Sequence, residues 1–239
     1  VLHPGSEYTG RLKVIDIGIP AHITRAQSPS LSVIEKEQVA PLFPPRPALG
    51  HKGSFGHLAV LAGSPGKTGA AALCANAAVR MGTGLVTLGT AQSIAPVLEP
   101  MVIEPMTRAV PDPEPGLLTD HSLDTALALL DGKASLALGP GIGTHDRTRS
   151  LVQKLLAEAE LPMVIDADGL NCLARNPGCL ASAKGDLILT PHPGEMARLT
   201  GKTTAQVQED RVCAAGEFAE RHGLILVLKG HQTLVSLPD

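Results

Sequence analysis

His192 lies between Pro191 and Pro193, directly after the apolar run LIL at residues 187–189. Proline disfavours the helical conformation of the residue before it, so we expect Thr190 and His192 to be extended. An imidazole fixed in one direction can meet a ligand at a lower ordering cost than a mobile one. A histidine that only satisfies its own loop is the simpler interpretation, and the motif alone leaves both open.

The segment KGHQT at residues 229–233 follows a second apolar run, LILVL. Lys229 supplies a positive charge, while the backbone N–H groups and the Thr233 hydroxyl supply further donors, a combination suited to phosphate. The same segment would also serve as a hairpin turn between LILVLKG and QTLVSL. The two interpretations are compatible.

The segment GSPGKTGAA at residues 63–71 resembles a Walker A loop but has Leu61 where that motif needs glycine. Its glycines still allow a tight turn from strand to helix, and the first N–H groups of that helix can hold a phosphate. A glycine turn without a ligand remains the alternative.

Two more segments place candidate groups after apolar runs. In GPGIG, residues 139–143, glycines would let the backbone approach a ligand closely, and Thr144 is expected to cap the next helix. In DADGLN, residues 166–171, Asp166 and Asp168 could orient a hydroxyl or hold Mg²⁺ through water. A capping aspartate at a helix start is the alternative.

All of these segments lie where a predicted strand ends. The predicted strands are residues 57–64, 85–90, 134–141, 162–169, 186–192 and 224–230. The predicted helices are residues 69–82, 121–132, 144–160 and 203–223, and an irregular Pro-rich stretch follows residue 90. Apolar strands alternating with amphipathic helices indicate an α/β fold, with a mostly parallel sheet and helices on both faces. Ligands of such sheets bind outside the carboxyl ends of the strands, so the sequence places a site there.

The composition of the chain argues against several classes of function. The net charge of -3 offers no basic face for nucleic acid, and aromatic residues make up 2% of the chain, too few for a base-stacking platform. Close packing of helices on the sheet by small aliphatic side chains is expected instead. No apolar run approaches the about 20 residues that span a bilayer. We therefore expect a cytoplasmic protein without membrane contact. A homo-oligomer is a separate expectation.

The cysteines are not arranged as metal ligands. Cys74, Cys172, Cys179 and Cys213 lack paired CxxC spacing. Structural thiols in a reducing compartment are therefore expected, rather than disulfides or a metal site held by the protein.

Three segments are expected along the chain. Residues 1–28 contain one strand-like run, LKVIDIGIP at 12–20, which resembles the last strand of a preceding domain. Residues 29–49 have the prolines and glycines of a linker, with a short helix for which Ser32 is the expected N-cap. The main domain is predicted at residues 50–239.

The motifs together resemble one family. HKGSFGHLAVLAGS, GAAALCANAAVRMGTGLVTL, GPGIG, VIDADGLN, LTPHPGE and LKGHQT look like the carbohydrate-kinase-related ADP/ATP-dependent NAD(P)H-hydrate dehydratases, which have the ribokinase-like fold. The resemblance covers about residues 30–239. Residues 1–28 resemble the tail of the NAD(P)H-hydrate epimerase domain that is often fused ahead of the dehydratase, which implies a bifunctional parent enzyme.

The resemblance implies a repair reaction, in which hydrated NADH or NADPH is phosphorylated by ADP or ATP with Mg²⁺ and phosphate is then eliminated. The residues implied to line the hydrated dinucleotide are Gly69, Ala70, Gly143 and His192. Those implied to hold the adenine nucleotide are Lys229, Gly230, His231, Gln232 and Thr233. The residues that could support these contacts are Asp166, Asp168 and Asn171. Glu195 is interpreted as a first-turn acid favoured by the helix dipole.

The chain departs from the family at one point. Members continue into a Gly-rich segment of the type GTGD, whose backbone forms an anion hole and whose Asp is the catalytic base. The sequence ends at Asp239 without such a segment, so we expect an incomplete domain that lacks its base and is inactive by itself. A small-molecule kinase acting on a vitamin precursor and a non-catalytic nucleotide-binding fragment remain as alternatives.

Overall fold

The computed structural model describes residues 5–26 and 31–238, and the chain divides after Gly50 into two compact units. The first unit contains helices α1 (Ala21–Ala26) and α2 (Lys36–Val39). Residues 12–20 form no strand, so that prediction was wrong. The physical reason lies in the turn at Gly18, which has a φ of 77° and donates its N–H to Asp16 Oδ1 at 2.8 Å, a local bond that competes with strand pairing.

The N-cap predicted at Ser32 was also wrong. The N-cap of α2 is Glu35, which exchanges hydrogen bonds with Gln38 in a capping box. A glutamate with a glutamine three residues later satisfies both free N–H groups, which a serine farther upstream cannot reach.

An eight-stranded sheet forms the centre of the second unit. Its strands are β1 (His57–Leu61), β2 (Leu85–Ala91), β3 (Met106–Val110), β4 (Ser135–Leu138), β5 (Met163–Ile165), β6 (Leu187–Leu189), β7 (Ile225–Leu228) and β8 (Leu234–Ser236). The spatial order is β3-β2-β1-β4-β5-β6-β7-β8, and every neighbouring pair is parallel except the antiparallel β7 and β8. The predicted mostly parallel sheet is confirmed.

Helices connect these strands on both faces of the sheet. They are α3 (Thr68–Arg80), α4 (Ala95–Leu98), α5 (Leu123–Leu130), α6 (Asp146–Glu158), α7 (Asp168–Leu173), α8 (Pro193–Thr200), α9 (Thr204–Glu209) and α10 (Arg211–His222). The chain runs outward from β1 to β3 and then from β4 to β7 in the opposite direction. Right-handed crossovers therefore place α3 and α4 on one face and α6 to α10 on the other.

Small side chains pack the first crossover helix, as expected from the composition. Ala71, Ala72 and Ala75 of α3 are at most 5% exposed. Helix α3 covers one face of the sheet over β1 and β2. The same face is less covered over β5 and β8, where Val164 is 36% exposed and Val235 is 47% exposed.

Three local differences from the sequence prediction have physical reasons. β3 was missed because its residues are mostly exposed and show no apolar run. The helix predicted at residues 203–223 is broken at Asp210, whose φ of -141° is not helical and whose carboxylate caps α10 through Cys213 N. The cap of α6 is His145, not Thr144, because Nδ1 of His145 accepts the N–H of Arg147 at 3.4 Å.

Among the described residues, none of the helices is long and apolar enough to cross a bilayer.

Candidate functional site

The loops after β1 and β4 meet where the strand order reverses direction. β1 and β4 are neighbours, but the helices that follow them leave toward opposite faces. Gly63 N donates to Pro140 O at 3.0 Å, and the buried Ser64 hydroxyl donates to Gly141 O at 2.7 Å. These bonds join the two glycine-rich loops into one surface at the switch point, where open α/β sheets bind ligands.

Three of the predicted dinucleotide contacts lie on this surface. Gly69 and Ala70 are in the first turn of α3, and a Cβ added to Gly69 would meet nothing within 4 Å. The methyl group of Ala70 fills the space next to Gly141, at 3.2 Å from an ideal Cβ there. Gly143 has a φ of 88°, a conformation that favours glycine. The structure thus brings an open helix start and a glycine-rich loop side by side.

An ion pair spans the same surface. Lys67 Nζ contacts Asp168 Oδ2 at 2.7 Å, and that oxygen also accepts Gly143 N at 3.0 Å. We call Lys67, Asp168 and Gly143 the switch-point cluster. Lys67 was not predicted as a site residue, although its place in the Walker-like GKT was a usable signal. The capping interpretation of Asp168 is wrong, since α7 has Ala167 as N-cap and its start has no side-chain cap.

Ala167 has an unusual backbone. Its φ of 53° and ψ of -120° are sparsely populated for a residue with a Cβ, and such strain concentrates at functional sites. Its N–H donates to Asp166 Oδ1 at 2.8 Å. The strained residue turns the chain between Asp166 and Asp168, so that each of the two carboxylates meets a different lysine.

Asp166 belongs to a second group of charges. Its Oδ1 lies 2.6 Å from Lys229 Nζ, which is also 3.9 Å from Glu195 Oε2. The Lys229 N–H donates to Pro191 O at 2.8 Å, which links the KGHQT segment to the loop of His192. We call Lys229, Asp166, Glu195 and His192 the His192 cluster.

His192 is extended as predicted, with a φ of -79° and a ψ of 167°, and it caps α8. Its Nδ1 accepts the N–H groups of Gly194 at 2.9 Å and Glu195 at 3.3 Å, while Glu195 Oε2 accepts His192 N at 2.8 Å. Glu195 is confirmed as a first-turn acid and is 5% exposed. The imidazole therefore has a structural task, yet the His192 side chain remains 51% exposed.

The remaining predicted residues lie nearby. Gly230 to Thr233 form the turn between β7 and β8, which confirms the hairpin interpretation. Gly230 and Gln232 have φ values of 144° and 53°, and the Thr233 hydroxyl donates to Gly230 O at 3.0 Å. Asn171 on α7 accepts a hydrogen bond from Arg198 at 3.0 Å.

Cys172 lies behind the switch-point cluster. All four cysteines are free thiols, and Sγ of Cys172 is 3.5 Å from Gly143 O. Burial raises the pKa of the Cys172 thiol to about 11, so it stays protonated near neutral pH and packs rather than reacts. Among the described residues, no group of three or more His, Cys, Asp and Glu side chains is arranged to hold a metal ion.

Known proteins are similar in sequence to this chain. The family model for NAD(P)H-hydrate dehydratase matches residues 58–239. The bifunctional NAD(P)H-hydrate repair enzyme of Moorella thermoacetica is 41% identical over 239 residues, which are 100% of this chain and 45% of that protein. The ADP-dependent (S)-NAD(P)H-hydrate dehydratase of Bacillus subtilis is 33% identical over 205 residues, covering 85% of this chain and 68% of the relative. The chain spans about half the length of the bifunctional relatives it matches.

Solved structures of other proteins have the same fold as this chain. The ADP/ATP-dependent NAD(P)H-hydrate dehydratase from Bacillus subtilis, co-crystallised with ATP/Mg²⁺, has a TM-score of 0.69 and 31% identity, over 86% of this chain and 69% of that one. A ribokinase-like superfamily protein from Enterococcus faecalis has a TM-score of 0.67 at 20% identity, over 81% of this chain and 64% of that one, which supports the fold alone. The fold is therefore ribokinase-like, and the chain belongs to the NAD(P)H-hydrate dehydratase family.

Proposed function

We propose that the protein takes part in nicotinamide-nucleotide repair, as the part of an ADP- or ATP-dependent dehydratase that holds hydrated NADH or NADPH. The observation that carries the proposal is the continuity of the site. The switch-point cluster and the His192 cluster are joined through Asp166, Ala167 and Asp168, so a dinucleotide and an adenine nucleotide would lie next to each other.

The dinucleotide is proposed to lie over the switch point. Gly69 and Ala70 present the N-terminal end of α3, where the helix dipole and N–H groups favour a phosphate of the ligand. Gly143 lets the ligand approach the backbone, and His192 meets it from the other side. Lys67 supplies a positive charge between these contacts.

The adenine nucleotide is proposed to lie over the turn between β7 and β8. Lys229 would contact its phosphates, together with the backbone and side chains of Gly230, His231, Gln232 and Thr233. Mg²⁺ fits this site as an ion that arrives on the phosphates, because one or two carboxylates plus phosphate oxygens are enough to hold it. Asp166 is the nearest carboxylate for that purpose.

Asp166, Asp168 and Asn171 are proposed to support the site rather than to react. Both aspartates already accept from a lysine, and Asn171 accepts from Arg198. These contacts fix the two lysines and α7 in place. The base that activates the added hydroxyl is proposed to come from the GTGD-type segment of the family, not from these residues.

The reaction would proceed in two steps on the same hydroxyl. The hydroxyl added to the nicotinamide ring attacks the terminal phosphate of ADP or ATP, giving a phosphate ester and the shortened nucleotide. Phosphate then leaves with its bonding electrons, a ring proton is lost, and the double bond of NADH or NADPH is restored. Phosphate is a far better leaving group than hydroxide, which is the chemical purpose of the nucleotide.

The test is an assay, with hydrated NADH, Mg²⁺ and ADP or ATP, of a form of the protein that carries the family's GTGD-type segment. We expect NADH absorbance to return with release of one phosphate for each NADH formed. A stable phosphorylated product without return of absorbance would indicate a small-molecule kinase instead. Nucleotide binding without any turnover would indicate a non-catalytic binding protein.

We also propose that residues 1–28 are the tail of an NAD(P)H-hydrate epimerase domain. The match to a bifunctional repair enzyme over 100% of this chain supports this origin. A parent protein that does not interconvert the R and S forms of hydrated NADH would contradict it.

A further inference from the structure

We infer that Arg211 is a positioning residue that holds the KGHQT turn in the shape needed for a nucleotide. Its guanidinium donates to three backbone carbonyls of that turn and of the strand leading into it. Nη1 contacts His231 O at 2.6 Å, and Nη2 contacts Leu228 O at 3.1 Å and Lys229 O at 3.3 Å. The inference rests on the proposed function, since it assigns this turn to the nucleotide.

The break between α9 and α10 brings Arg211 to this position. Asp210 ends α9 and caps α10 by accepting Cys213 N at 2.9 Å, so Arg211 becomes the first residue of α10. The sequence predicts a continuous helix over residues 203–223, in which Arg211 would be an interior residue. The local interruption therefore has a geometric consequence at the site.

Gly230 lets the guanidinium lie directly against the turn. An ideal Cβ on Gly230 would be 3.0 Å from Nη2 and 3.1 Å from Nη1 of Arg211. The residue also has a φ of 144°, which a side chain rarely tolerates. Glycine at position 230 thus allows both the close contact with Arg211 and the backbone conformation of the turn.

The hydrogen bonds of Arg211 fix the direction of the backbone N–H groups. In a trans peptide the C=O and the N–H of one unit point in opposite directions. When Lys229 O and His231 O point at the guanidinium, the N–H groups of Gly230 and Gln232 point away from it. N–H groups held on one side of a turn can hold an anion, and the guanidinium on the other side adds positive potential.

A lysine cannot replace this arrangement. Three carbonyls at different positions along the turn need the planar fork of guanidinium, whereas an ammonium is a compact point charge. Arg211→Lys keeps the charge but loses the geometry, which makes it the decisive variant. Arg221, exposed at the end of the same helix, provides the matched control substitution Arg221→Lys.

The experiment compares wild type, Arg211→Lys, Arg211→Ala and Arg221→Lys by hydrogen exchange and by calorimetric binding of ADP with Mg²⁺ and of NADPH. We expect both Arg211 variants to speed exchange at residues 229–233 and to weaken ADP binding about tenfold, the loss of roughly one charge-assisted hydrogen bond. Binding of NADPH and exchange in residues 187–200 should stay unchanged. Arg221→Lys should change none of these.

Unchanged exchange and unchanged ADP binding in Arg211→Lys would overturn the inference. Equal weakening of ADP and NADPH, together with a lower melting temperature, would also overturn it, because that is the result of a purely structural role. If Arg211→Ala fails to fold, the exchange and binding data of Arg211→Lys decide whether the inference holds. If the wild type binds no ADP, the proposed nucleotide site fails, while the exchange data still decide whether Arg211 orders the turn.

Discussion

The switch-point cluster and the His192 cluster are both built from a lysine and an aspartate, but their charge differs. In the switch-point cluster, Lys67 and Asp168 balance each other, and the second bond of the carboxylate goes to a neutral backbone N–H. In the His192 cluster, Lys229 faces Asp166 and also Glu195, which leaves one extra negative charge when His192 is neutral.

This difference suits the two clusters to different ligands. A phosphate that approaches the switch point meets a helix start and a lysine that is 50% exposed. A phosphate that approaches Lys229 meets two carboxylates as well, so it gains most if it brings a cation. The comparison therefore favours the dinucleotide at the first cluster and a nucleotide with Mg²⁺ at Lys229 of the second.

The largest effect on ligand binding is expected from Lys229→Ala. A cation that contacts phosphate contributes about 1.5 to 3 kcal/mol, so ADP binding should weaken about tenfold or more while the fold stays intact. Calorimetric titration with ADP and Mg²⁺ measures this. Lys202→Ala, which removes a surface cation 3.9 Å from Glu217, is the control and should bind ADP as the wild type does. An unchanged dissociation constant in Lys229→Ala would remove Lys229 from the nucleotide site.

Glu195→Ala should have the next largest effect, on stability. The buried carboxylate accepts His192 N, and its removal leaves that N–H without its partner, at a cost of about 2 kcal/mol. Glu195→Gln keeps an oxygen for this bond and should lose less than half as much. Urea denaturation of both variants gives the free energies of unfolding, with exposed Glu209→Ala as the control.

A loss in Glu195→Gln equal to that in Glu195→Ala would mean that the charge, and not the cap, is what stabilises this loop. The extra negative charge of the His192 cluster would then be a structural requirement, and the comparison between the clusters would lose its functional meaning.

Two substitutions of His192 separate its structural task from ligand contact. His192→Ala should lose about 1 kcal/mol of stability with the N-cap, whereas His192→Asn supplies a capping oxygen and should recover most of it. If the imidazole contacts the dinucleotide, both variants should bind NADPH more weakly than the wild type while ADP binding stays close to normal. Normal NADPH binding by His192→Asn would leave His192 with capping as its whole role.

The fold and the location of the site could be predicted because they depend on local patterns. Apolar runs mark the buried strands, and the rule that ligands bind beyond strand ends locates the loops whatever their partners. β3 escaped prediction because an exposed strand at the edge of the sheet has no apolar signal. The helix break at Asp210 escaped because a single capping aspartate does not interrupt the amphipathic pattern around it.

The partners within the site could not be predicted from the sequence. Lys67 and Asp168 are 101 residues apart in the chain, and Lys229 and Asp166 are 63 apart. Which lysine meets which aspartate depends on the strained turn at Ala167, a conformation that no sequence rule assigns to alanine. The role of Arg211 is hidden for the same reason, since its acceptors are backbone atoms of a distant turn.

The smallest effect on ligand binding is expected from Lys67→Met, which tests the switch-point cluster. An exposed ion pair contributes about 0.2 to 1 kcal/mol, and Asp168 keeps its bond to Gly143 N, so stability should change little. Binding of NADPH should weaken about fivefold, since one cation leaves the proposed phosphate position. Calorimetry at low and high salt measures this, and the difference from wild type should shrink at high salt because exposed charges are screened. Lys229→Ala is the matched comparison, for it should weaken ADP binding more than NADPH binding. If Lys67→Met instead weakens ADP more than NADPH, the two ligands occupy the clusters in the opposite order, and the charge difference between the clusters does not determine which ligand binds where.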